Sequence, residues 1–140
     1  MEHAPPNIER SPEDQMKAIS VQQPWAWAIL HAGKDLENRQ VRFKYRGPLL
    51  IHAPLHLRAQ DRMPPGVRQP KMDELPCGVV LDIVDLVDVV NHARSKWWGG
   101  KYALSLRNPR RLKKPIPCKG VRGLWTPSPS LIRAVKGQLS

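Results

Sequence analysis

Apolar positions along the chain fall in short blocks broken by turn residues, and the blocks predict more strands than helices. Met16 to Val21 predicts a first strand. Trp25, Ala28, Ile29 and Ala32 then recur at helical spacing, and Ala26, Ala28 and Leu30 favour helix. Pro24 suits the first position of that helix, Gln23 its cap, and Gly33 the left-handed residue that ends it. Leu36 to Phe43 reads as a second strand, and Leu49 to Ala53, after Pro48, as a third in which Leu50 and His52 share a face. Leu55 to Met63 reads as a brief helix, followed by a proline-rich loop. Cys77 to Val90 gives the strongest strand signal, rich in Val and Ile. Asp82, Asp85 and Asp88 recur in it at every third position, which predicts a bulge or bend near Val84. Lys101 to Arg107 reads as a strand, Asn108 to Lys119 as a basic, proline-punctuated segment, and Val121 to Trp125 as a closing strand. Leu131, Ala134, Val135 and Leu139 keep helical spacing over Pro127 to Leu139. This order predicts an α+β, mainly β class: a small, strongly bent or closed sheet with short helices at its rim.

A length of 140 residues suits one core. Residues 1–15 read as a flexible arm and 16–140 as one domain. With no apolar run of membrane length and no apolar signal core at the N-terminus, a cytoplasmic protein with no membrane partner is expected. Cys77 and Cys118 stand far apart, outside any C-x-x-C pair, so reduced thiols are expected, with no metal site and no cofactor. The formal net charge is +11, and it is unevenly placed. Residues 1–88 carry 11 Lys/Arg against 12 Asp/Glu, whereas residues 89–140 carry 12 Lys/Arg and no acid. A one-sign field of that extent favours a polyanionic partner, nucleic acid first.

Lys34, Glu37 and Arg39 follow the glycine stop within six residues, and in a strand the last two share a face. The K-x-x-E-x-R spacing directly after a short Q-P-W helix resembles the signature of the ASCH (activating-signal-cointegrator homology) domain family. The resemblance continues through Y-R-G-P-L-L-I-H-A at Tyr45 to Ala53 and Y-A-L-S-L-R-N-P at Tyr102 to Pro109. It ends with P-I-P-C-K-G…G-L-W at Pro115 to Trp125. It implies a PUA-like β-barrel in which the motif lines a cleft, and RNA, in particular single-stranded RNA, as partner. One branch of the family hydrolyses N4-acetylcytidine with the motif lysine, and other members are metal-independent ribonucleases. A modified nucleoside as substrate and a hydrolase using Lys34 are therefore the alternative that the resemblance implies.

The residues themselves leave three readings open. A binding cleft would use Lys34 and Arg39 on phosphate or base edges, and Glu37 on an exocyclic amine. Trp27 is the expected stacking wall, because Trp25 shares the apolar helix face; Trp97 and Trp98, in a glycine-bounded loop, are the second candidates, and Trp125 is expected to be buried. Arg107, Arg110, Arg111, Lys113, Lys114, Lys119 and Arg122 would form a basic apron that neutralises phosphates. A catalytic site would use Lys34 as base or nucleophile, Glu37 as proton shuttle, and His52 and Ser105 as auxiliary groups. A coactivator-like protein-interaction module, which would expose an apolar patch, is the third.

Overall fold

The computed structural model describes residues 16–139, so the N-terminal arm lies outside the described residues. Six strands form one sheet: β1 (Lys17–Ser20), β2 (Leu36–Arg39), β3 (Gly47–Ala53), β4 (Val79–Val90), β5 (Tyr102–Pro117) and β6 (Leu124–Trp125). Their order is β2-β5-β4-β3-β1-β6, with β1 and β3 parallel and every other pair antiparallel. Two helices sit against this bent half-barrel, α1 (Trp25–His31) and α2 (Pro129–Leu139). Among the described residues no helix is long and apolar enough to cross a membrane.

Period-two alternation splits the strand residues between cores on the two faces of the sheet. Ile19, Leu49, Ile51, Val84, Leu86, Leu104 and Leu106 pack on one side, together with Ala26 and Ile29 of α1. Ala18, Leu50, Val80, Ile83 and Leu112 pack on the other, beneath Leu131 and Val135 of α2. A third cluster joins α1 to the loops through Trp27, Ala28, Leu36, Met63, Leu75 and Trp97.

The bulge predicted near Val84 is present, and it is one of three. The β4–β5 register shifts between Val80 and Asp82, between Ile83 and Asp85, and between Leu86 and Asp88, so each aspartate follows a break. Only two of the three reach water. Asp88 is exposed and Asp85 half-exposed, whereas Asp82 is wholly buried, with neither carboxyl oxygen hydrogen-bonded among the described residues. Burial raises its pKa to about 7.

Three expectations are corrected. Residues 55–63 form turns and not a helix. The second strand stops at Arg39, short of Phe43. The segment Asn108 to Pro117 continues β5 instead of leaving the sheet. Its prolines are tolerated because β2 pairs with β5 only from Tyr102 to Ser105, so the strand beyond is unpaired on that flank and needs fewer ladder donors. Asn108 turns through φ +55° at the bulge opposite Val84, a conformation that asparagine accepts better than most residues.

Candidate functional site

The end of α1 aims the motif lysine. The Ala28 carbonyl accepts both the Ala32 N–H at 2.9 Å and the Lys34 N–H at 3.1 Å, the latter closing residues 28–34 around Gly33 at φ +71°. Gly33, just past the C-cap Ala32, takes the left-handed conformation that ends the helix and that glycine adopts without strain. At the other end Pro24 occupies the N-cap position, one residue later than expected. Gln23 still does the capping from outside the helix: its Oε1 accepts the Trp27 N–H at 2.8 Å, and its Nε2 donates to the Pro76 carbonyl at 3.0 Å.

From this anchored turn a chain of charges crosses from α1 through β2 to β1. Lys34 Nζ donates to Glu37 Oε1 at 2.7 Å and to the Leu36 carbonyl. Glu37 Oε2 accepts from Arg39 Nη2 at 3.0 Å, and the same nitrogen donates to the Ser20 carbonyl at 2.8 Å. Arg39 thus ties the edge strand β2 to β1 by a side chain, while its Nε is buried without a partner among the described residues. The Lys34 and Glu37 side chains are only 3% and 12% exposed, so the pair is shielded from water. Two of the three ammonium donor directions of Lys34 are already used, and Nζ stands 6.0 Å from the Trp25 ring centre.

Two cavities meet at this chain. The larger, about 810 Å³, has Arg39, Arg58 and Arg122 in its lining; the smaller, about 420 Å³, has Lys34, Arg62 and Lys96. Trp25, Glu37 and Asn38 line both and form the saddle between them. Among the described residues, Glu37 is the sole carboxylate residue in either lining, against six cations.

The saddle is held from three directions. The Trp25 Nε1–H donates to Asp61 Oδ2 at 2.8 Å, and Arg58 Nε donates to the same oxygen at 2.7 Å. Burial acts to raise the Asp61 carboxyl, but the hydrogen bonds from Trp25 and Arg58 outweigh it and hold the group below its ordinary value. Asn38 Nδ2 donates to the Trp97 carbonyl at 2.8 Å and its Oδ1 accepts the Gly99 N–H at 2.9 Å, which pins the tryptophan loop to β2.

The expected stacking residue is corrected by this arrangement. Trp27 is buried, packed among Ala28, Leu36 and Met63, with the Arg68 guanidinium 5.1 Å over its ring. Trp25, half-buried, lines both cavities instead. Trp97 and Trp98 both border the smaller cavity, Trp97 buried and Trp98 partly exposed. Trp125 is partly exposed rather than buried, with its indole N–H on Ser20 Oγ at 3.2 Å.

His52 stands outside both linings and is 2% exposed. Its Nδ1 lies 3.1 Å from Ser20 Oγ and its Nε2 lies 2.8 Å from the Cys118 carbonyl, so both ring nitrogens are occupied by structure. Ser105 is half-buried on β5 opposite Leu36, and it too lines neither cavity. Of the basic segment, Arg122 lines the larger cavity, whereas Arg107, Arg110, Arg111, Lys113, Lys114 and Lys119 are absent from both linings. Arg110 pairs with Asp85 at 2.9 Å. Arg111 acts on His31, whose pKa burial lowers first and that guanidinium second. Cys77 and Cys118 are free thiols.

Sequence reasoning missed Asn38, Arg58, Arg62 and Lys96. Asn38 was legible as the residue between the two motif charges. The arginines gave no signal, because their segment reads as helix while its backbone forms turns.

No protein-family model matches the chain, and no curated protein does. Solved structures do match. The crystal structure of ASCH from Zymomonas mobilis superposes with a TM-score of 0.55 at 13% identity, covering 89% of this chain and 95% of that one. A serine-to-alanine variant of that protein gives 0.57 at 15% identity, over 90% and 98% of the two chains. The chain therefore has the fold of the ASCH domain, a PUA-like α+β architecture.

Proposed function

We propose that this ASCH-fold chain is a member of the ASCH family that binds single-stranded RNA in the cleft around Lys34, Glu37 and Arg39. The observation that carries the reading is the lining: six cations to one carboxylate around an indole that faces both cavities. A polyanion supplies the missing charge, and a flat base supplies what stacks on Trp25; such stacking is worth about 1–3 kcal/mol per base. Glu37 and Asn38 offer an acceptor and a two-way amide beside that ring, the groups that read base edges. The larger cavity is also of the size that holds a small ligand.

The test is fluorescence anisotropy of a labelled single-stranded RNA at several salt concentrations. The wild type is expected to bind with log affinity falling linearly in log salt. Trp25→Ala is expected to lose about tenfold or more, by the stacking magnitude above. Equal affinity of wild type and Trp25→Ala refutes the cleft as the RNA site.

A second reading makes Lys34 the catalytic group of a hydrolase, either a ribonuclease or an amidohydrolase acting on a modified nucleoside. Its position in the lining of the smaller cavity favours it. The hydrogen bonds of Nζ to Glu37 and Leu36 fit a positioned cation better than a free base. Incubation of RNA in EDTA beside Lys34→Ala separates the two: cleavage by the wild type alone supports the hydrolase, and intact RNA in both lanes removes the ribonuclease.

A further inference from the structure

The two cavities are not interchangeable halves of one hollow. Each has its own cations, and the wall between them is the Trp25 ring with Glu37 and Asn38. One turn-forming strap, residues 54–64, runs past both. Its Pro54, His56 and Arg58 border the larger cavity, and its Arg62 and Pro64 border the smaller. The strap is fastened to the start of α1. The Arg58 N–H donates to the Gln23 carbonyl at 2.8 Å, Gln22 Nε2 donates to the His56 carbonyl at 3.1 Å, and Asp61 takes the Trp25 indole N–H. Asp61 therefore sets the pose of the saddle ring and, through Arg58, the cation of the larger lobe. Arg62 and Lys96 are exposed and their charges face water, while Arg58, also exposed, is paired through its Nε to Asp61 and keeps its remaining donors toward the larger cavity.

A nucleoside or mononucleotide would engage one lobe and leave the other lobe's cations unanswered. A chain whose phosphates fall on both sides of a stacked base answers both. We propose that the minimal ligand is an oligonucleotide, at least a 5′-phosphorylated dinucleotide, that threads across the Trp25 saddle with one phosphate by Arg58 and the next by Arg62 and Lys96. Asp61 is then a positioning residue for the strand's path. The inference rests on the RNA reading above and adds the substrate's length and direction of passage.

The experiment is a binding series by calorimetry on the full chain, from uridine 5′-monophosphate through the 5′-phosphorylated di-, tri- and tetranucleotide, the dinucleotide being the first member with two phosphates. Affinity is expected to rise on the order of 10²-fold between mono- and dinucleotide, because the second contact becomes intramolecular, and to change little further on. Arg62→Gln with Lys96→Gln is expected to erase most of that step. Asp61→Asn, which keeps an acceptor for the indole, is expected to retain the step, whereas Asp61→Ala reduces it. Mononucleotide and tetranucleotide binding equally, or a step insensitive to Arg62 and Lys96, overturns the inference and leaves single-lobe recognition standing. Binding by no member of the series overturns the RNA reading itself.

Discussion

Replacing Glu37 with glutamine tests how the buried charge chain is held. The carboxylate bridges two cations, Lys34 at 2.7 Å and Arg39 at 3.0 Å, and its loss strands an ammonium whose side chain is 3% exposed. Removing one partner of a buried ion pair costs about 3–5 kcal/mol, a large part of a typical total of about 5–15 kcal/mol. Arg39 suffers less, since its Nη2 keeps the Ser20 carbonyl. Lys34→Met removes the stranded charge and leaves Glu37 on Arg39, so it is expected to cost about 1–3 kcal/mol. In the double variant no ammonium is left unpaired, and the cost should fall short of the sum of the single costs by about 2 kcal/mol. Urea unfolding read at a common m-value measures all three. Costs additive to within about 0.5 kcal/mol would refute the account, because they would mean that the two groups do not sense each other.

Other outcomes follow from single features. Asp82 has a folded pKa of about 7 against an ordinary 3.8, so between those values the folded state binds more protons than the unfolded one. Stability should therefore fall as pH rises from about 4 to 7, by about 4 kcal/mol at 1.36 kcal/mol per unit, and Asp82→Asn should flatten that limb in urea titrations. At Gly120 a Cβ would come within 2.5 Å of the His52 ring, whose nitrogens are both engaged. Gly120→Ala should cost about 1–3 kcal/mol by overpacking and displace the 120–123 loop that lines the larger cavity; thermal melts and RNA affinity read both effects. Trp27→Ala should destabilise by about 3–5 kcal/mol, as a buried aromatic does, whereas Trp25→Ala should spare more stability and lose binding. Arg111→Gln with Lys113→Gln, both outside the cleft, should leave tetranucleotide affinity within about twofold, since neither cation meets the bound strand.

Much of the fold was legible because it rests on local patterns. The β-branched run of β4 announced a strand, the aspartates within it announced a break, and the apolar spacing of α2 announced its buried stripe. The terminus of α1 was legible through Gly33, and so the place of Lys34. The facing of the two tryptophans was not. Ala26, Trp27, Ala28 and Ile29 of this seven-residue helix are all buried, so no single stripe tells inside from outside. The length of β5 was hidden by its prolines, which a bulged strand lacking a neighbour on one flank accepts. The basic half of the sequence pointed to a polyanion, yet the cations around the cleft come largely from elsewhere. Arg39, Arg58 and Arg62 belong to the half whose charges balance, and the long-range register of β5 carries Arg107 to Lys114 away from the site.

The most direct measurement is a two-dimensional NMR titration that follows the indole N–H signals of the five tryptophans, assigned by single Trp→Phe variants, as a short single-stranded RNA is added. The account predicts that the Trp25 signal shifts most, with Trp98 next, while the buried Trp27 stays in place. A stationary Trp25 signal at saturating RNA would contradict the account and move the RNA off the Lys34–Glu37–Arg39 cleft.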